Sequence, residues 1–124
     1  MTAIADLVDY EREHELKLII QTTGREIGVT FWLMHIDCKA VDGLRERRRA
    51  VNILGPDQVS ERNERIEDLA ACVSRWDWGD NEFEKGKGAP ELNLDNAYDV
   101  LSRSKWIASQ VLAAVYKLEN FTNA

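Results

Sequence analysis

The chain has 124 residues, 44% of them hydrophobic and 31% charged, with 16 basic and 22 acidic side chains giving a formal charge of −6. That length and apolar fraction suit one globular domain able to bury about two-thirds of its unfolded surface, and they exclude a disordered chain. No apolar run approaches the roughly 20 residues of a membrane-spanning helix, and the first residues lack the basic-then-apolar pattern of a secretory leader. Two cysteines, Cys38 and Cys72, are too few for a disulfide framework and fit a reducing cytoplasm. An acidic chain repels phosphate backbones, which argues against generic nucleic-acid binding. Only residues 44–75, with 7 basic and 6 acidic side chains, are locally positive.

Taken in chain order, residues 1–15 form an acidic arm with sparse apolar positions at Ile4, Leu7, Val8 and Tyr10, equally readable as a short helix or a frayed end. Residues 16–124 are then expected to form a single α+β domain, a β-hairpin packed on a mainly helical body of about four helices. The hairpin spans 16–34. Leu16–Ile20 is rich in strand formers, and Gln21–Arg25 is a polar turn whose Gly24 can take positive φ. Glu26–Met34 then alternates, with Ile27, Val29, Phe31 and Leu33 on one face. The other face carries Gly28, Thr30, Trp32 and Met34. Two large apolar groups there require a cover, supplied either by another element of the chain or by a partner.

Asp37 stands where an N-cap belongs, before a helix from about Cys38 to Leu54 whose apolar stripe is Val41, Leu44, Val51 and Leu54. Gly55-Pro56 ends it. A second helix from about Asp57 to Val73 turns Val59, Ile66, Leu69, Ala70 and Val73 inward and its carboxylates mostly outward, completing a helical hairpin over 38–73. Residues 74–92 break the helical period and, with Gly79, Gly86, Gly88 and Pro90, read as a long loop. Its tryptophans, Trp76 and Trp78, should anchor it and its glycine-lysine part should move. The C-terminal helices occupy 93–120, with Asn93 and Ser104 as caps. The last helix has an apolar arc too wide for one-sided burial, spanning Trp106, Ile107, Val111, Ala114, Val115 and Leu118 and widened by Ala108, Leu112 and Tyr116. It must pack on two sides or dock against another chain, which leaves room for a homo-oligomer.

Chemistry-bearing patterns are sparse. His35 and Cys38 stand three apart, but the remaining soft ligands, His14 and Cys72, are scattered, whereas zinc sites usually show two local pairs. Neither thiol sits in a nucleophile motif, and Gly86-Lys87-Gly88 lacks the flanking strand and hydroxyl of a phosphate loop. No enzyme activity, metal or cofactor is therefore expected. The strongest charge feature is Arg45-Glu46-Arg47-Arg48-Arg49. It is either a docking surface for an acidic partner or nucleic acid, or a solvated face whose arginines pair with the acidic N-terminal arm.

The order of several short blocks resembles a known family. Ile27-Gly28-Val29-Thr30-Phe31-Trp32-Leu33, a cap, and a helix ending Arg47-Arg48-Arg49-Ala50-Val51-Asn52 are similar to the first half of tail assembly chaperones of long-tailed bacteriophages. Leu69–Trp78, Asn93-Leu94-Asp95-Asn96-Ala97, Lys105–Val111 and Phe121-Thr122-Asn123 resemble the second half, so that the likeness covers about residues 16–123. The arm before Leu16 has no counterpart in that pattern, and Ser104-Lys105 stands where many relatives have a proline before the tryptophan. The resemblance implies a non-enzymatic viral protein acting in the host cytoplasm, absent from the mature virion, that binds tape-measure protein and tail-tube subunits. It also implies that a longer frameshifted form is common among relatives. On the residues themselves, Trp32 and Met34 would supply apolar contact, and Arg45, Arg47, Arg48 and Arg49 would steer an acidic client segment. Two rivals are an acidic inhibitor or decoy that binds a host protein and a small nucleic-acid-binding regulator using the arginine-rich helix.

Overall fold

A computed structural model describes residues 3–54 and 62–122. Three antiparallel strands form one sheet in the order β1 (His14–Ile20), β2 (Arg25–Leu33), β3 (Val73–Asp77). The helices are α1 (Lys39–Leu54), α2 (Glu64–Cys72), α3 (Leu94–Arg103) and α4 (Lys105–Val115), with short 3-10 turns at Ile4–Asp6 and Leu118–Phe121. The protein is thus α+β, with its hairpin at the N-terminal end of the sequence. α4 lies against β1 and β2, while α2 is packed by α1, α3 and α4.

The hairpin follows its alternation. Gly24 takes φ +70° at the turn, where its amide donates to the Ile20 carbonyl at 2.7 Å. Val29, Phe31 and Leu33 enter the core with Leu18, and Leu16↔Phe31↔Trp76 forms one inward row across the sheet. Gly28 has φ +81° within β2, close to where β1 bulges between Lys17 and Ile19. A β-carbon on Gly79 would stand 2.9 Å from the Gly28 carbonyl oxygen, so this crossing needs a glycine.

Several expected boundaries move. The arm is an integral part of the fold: Val8 bridges Thr122, the Asp9 amide donates to the Phe121 carbonyl, and the His35 amide donates to that of Tyr10. β1 accordingly begins at His14 rather than Leu16. The segment expected as a loop from 74 contains most of β3, and Val73, read as helical, opens that strand. A five-residue strand with only one full alternation was too short to show a period of two. The remainder of the loop makes its own hydrogen bonds and an ion pair. Glu82 accepts from the amides of Gly86 and Gly88, Trp76 Nε1 donates to the Pro90 carbonyl at 3.1 Å, and Arg103 pairs with Glu84. α4 ends at Val115, five residues short of the expected limit, and the chain turns to bring Phe121 back into the core. The expected Gly55-Pro56 turn, Asp57 and Val59 lie outside the described residues.

Capping also differs from the local expectation. Asn93 caps α3 as read, its Oδ1 accepting from the Asn96 amide at 2.8 Å, and Asn63 caps α2 in the same way. Asp37 does not cap α1. Glu11 of the arm does so from a distance, its carboxylate accepting from the Lys39 amide at 3.0 Å, where it also meets the positive end of the helix. Ser104 sits at the start of α4 without a side-chain cap bond. Its carbonyl accepts from the amides of Ile107 and Ala108.

α4 is packed on two sides. Ile107, Ala108, Val111, Ala114 and Val115 are buried, leaving Trp106, Tyr116 and Leu118 exposed. Its Gln110 side chain clips the open edge of β1, with Oε1 accepting from the Ile19 amide at 3.1 Å and Nε2 donating to the Ile19 carbonyl at 2.9 Å. One side-chain amide thereby occupies the donor and acceptor that an added strand would use there.

Candidate functional site

The residues singled out from the sequence separate into three settings. Trp32 faces outward from β2, in register with Glu15 and Arg75. The Arg75 guanidinium lies over its ring at 4.3 Å, and Glu13 holds that arginine at 3.0 Å while accepting from the Ser74 hydroxyl at 2.6 Å. These two donors keep the Glu13 carboxyl below its usual pKa, the serine bond contributing most. Trp32 is therefore covered from within the chain by a cation–π contact. Met34 is half-buried against the core, its amide donating to the Cys72 carbonyl.

The arginine cluster divides by helix face. Arg48 turns toward α2, where Nη2 meets Glu67 and Nη1 meets Asp68, each at 2.7 Å, while Nη2 also donates to the Glu64 carbonyl. Glu67, expected outward, is only 8% exposed because Arg48 and Arg62 neutralise it. Arg45, one turn earlier on the same face, reaches Asp68 at 3.5 Å and Asp37 at 3.9 Å, so the ion pairs of this cluster among the described residues go to α2 and Asp37 and not to the acidic arm as expected. Arg47 and Arg49 are exposed, and among the described residues neither has an ion-pair partner. No hydrogen bond, ion pair or ring contact among the described residues joins Trp32 or Met34 to any of the four arginines.

Arg47 belongs instead to a groove of about 400 Å³ between α1, the end of α2 and the start of α3. Lys39, Ala40, Gly43, Leu44 and Arg47 of α1 form one wall, Ala70, Ala71 and Val73 the base, and Leu92, Asn93 and Leu94 the opposite lip. The sequence reading missed this groove. Its three parts come from segments far apart in the chain, and the signal within α1, a glycine flanked four residues away on each side by a cation, is short. A second cleft of about 540 Å³ opens between α2, α3 and α4 over Ile66, Leu69 and Leu112.

The soft ligands are absorbed by the core. His35 is buried, stacked on Tyr10 at 4.6 Å and edge-on to Phe121 at 5.2 Å, and its Nδ1 accepts from the Asp37 amide at 2.9 Å. Cys38 and Cys72 are free and fully buried, and the Cys72 thiol donates to the His35 carbonyl at 3.8 Å. Were Cys38 to ionise, the neighbouring Cys72 thiol could turn to it, which with the amides of Val41 and Ala40 holds Cys38 below its usual pKa despite burial, and the same coupling drives Cys72 upward. Among the described residues, no three or more histidine, cysteine, aspartate or glutamate side chains are grouped to hold a metal ion. No described helix is long and apolar enough to cross a membrane. No protein-family model, curated protein or solved structure matches the chain.

Proposed function

We propose that this protein is a non-enzymatic assembly chaperone of the kind made by long-tailed bacteriophages. It would act in the host cytoplasm on tape-measure protein and tail-tube subunits and be absent from the mature virion. The block resemblance over residues 16–123 suggests the family. The observation that carries the protein-binding part is the α1 groove, an open apolar trench whose rim bears two cations, Lys39 and Arg47, with no ion-pair partner among the described residues. Such a surface suits a polypeptide that offers apolar side chains and carboxylates together. Arg45 and Arg48 are spent on carboxylates of the same chain, which weakens the rival reading of the helix as a nucleic-acid contact.

Co-expression with a tape-measure fragment, followed by size-exclusion chromatography, tests the reading. Co-elution as a defined complex is expected. Capture of a host nuclease or polymerase with no tail protein would replace it with the inhibitor reading, and a salt-dependent shift of short DNA would replace it with the regulator.

A further inference from the structure

We infer that the α1 groove receives an acidic amphipathic helix of a client protein, with Gly43 as the point of closest approach; this rests on the protein-binding reading above. Gly43 lies inside the sixteen-residue helix α1, where glycine weakens a helix relative to alanine. Nothing among the described residues requires that weakness. Its φ is not positive, and a β-carbon built on it meets no atom within 4 Å beyond its chain neighbours and the backbone of its own helix. The missing side chain faces open space in the groove, beside Ala40, Ala70 and Ala71. Small residues at such a seam let a second helix axis come to the near limit of the usual 8–10 Å packing distance.

The charge pattern selects the occupant. Lys39 and Arg47 stand four residues to either side of Gly43, so they flank it on the same side of the helix about 12 Å apart along its axis, a little over two turns. Among the described residues no carboxylate answers either cation, although the neighbouring Arg45 and Arg48 are both paired. A helix lying along α1 with carboxylates two turns apart satisfies both ends while its apolar stripe covers Leu44. The lip does not offer the placed polar groups of a small-molecule site, since the Asn93 side chain is committed to capping α3.

The test uses the full chain and a dye-labelled synthetic helical peptide of about sixteen residues, with a leucine-alanine stripe and glutamates eight positions apart. Fluorescence anisotropy should show binding that weakens as salt rises, and a matched peptide with lysines for the glutamates should not bind. Gly43→Leu, which fills the trench, should weaken binding at least about tenfold, and Lys39→Glu with Arg47→Glu should abolish the preference for the acidic peptide. Gly43→Ala guards against misfolding: its melting temperature should rise while its affinity falls. Equal affinity of the wild type and both Gly43 variants, or no binding of the acidic peptide, overturns the inference. If tape-measure co-elution survives Gly43→Leu, the groove assignment fails and the chaperone reading stands. If the peptide binds in the groove but no tail protein co-elutes, the groove stands and the chaperone reading fails.

Discussion

Two faces of α1, about a third of a turn apart, treat the same residue type in opposite ways. On the face toward α2, Arg48 is largely buried and answered by Glu67, Asp68 and a carbonyl, so its charge works inside the fold. On the groove face, Arg47 is exposed, and nothing among the described residues answers it. The arginine run reads as one cluster in the sequence, yet it is two devices in space. The difference teaches that a charge run on a helix must be divided by face before any of it is assigned to a partner.

The largest effect should come from breaking the inward face. Arg48→Met would leave Glu67 and Asp68 poorly paired in a low-dielectric setting and should cost about 2–4 kcal/mol, read as a lower denaturant midpoint. Glu11→Ala removes the long-range cap of α1 and should cost about 1 kcal/mol. Gly43→Ala acts in the other direction, raising stability by about 0.5–1 kcal/mol because the groove face makes no demand on that backbone. Arg45→Ala, which loses only longer and more exposed pairs, should cost less than about 1 kcal/mol, and Arg47→Ala should stay within about 0.5 kcal/mol. If Arg47→Ala were as damaging to stability as Arg48→Met, the distinction between the faces would collapse.

Acid should sharpen the contrast by loosening paired regions and leaving the groove cations charged. Burial, with Lys117 and Arg12 nearby, holds His14 below its usual 6.5. The unfolded chain therefore takes up that proton first, and stability falls as pH drops below about 6.5. Glu13 lies below 4.5 through Ser74 and Arg75, and Glu84 reaches about 2 through Lys87 and Arg103. Both contribute stability that is present above 4.5 and lost as pH falls further. Thermal melts from pH 7 to 3 should show a progressive decline, and His14→Gln should remove its upper portion.

Much of the fold was legible because it rests on short-range pattern. The alternation through Val29, Phe31 and Leu33, the Gly24 turn, the Asn93 cap and the excess apolar width of α4 each have a local physical cause that survives in the folded chain. The third strand was not legible, since Val73–Asp77 is too short to distinguish a period of two from a helix end. The candidate site was legible only in part. Arg47 was among the residues singled out, but Gly43 and Ala70 carry no chemistry that marks them before α1 and α2 are packed.

Composition and periodicity by themselves determined that this is an α+β chain with a hairpin, and which side chains would fill most of its core, because burial of apolar surface is read one element at a time. Tertiary structure alone decided which charges are internal and which face outward. It placed Glu11 on the start of α1, Gln110 on the edge of β1 and Arg75 over Trp32, contacts whose partners are 28, 91 and 43 residues apart. Electrostatic and hydrogen-bonding partners are chosen by proximity in space, and no local pattern encodes that proximity.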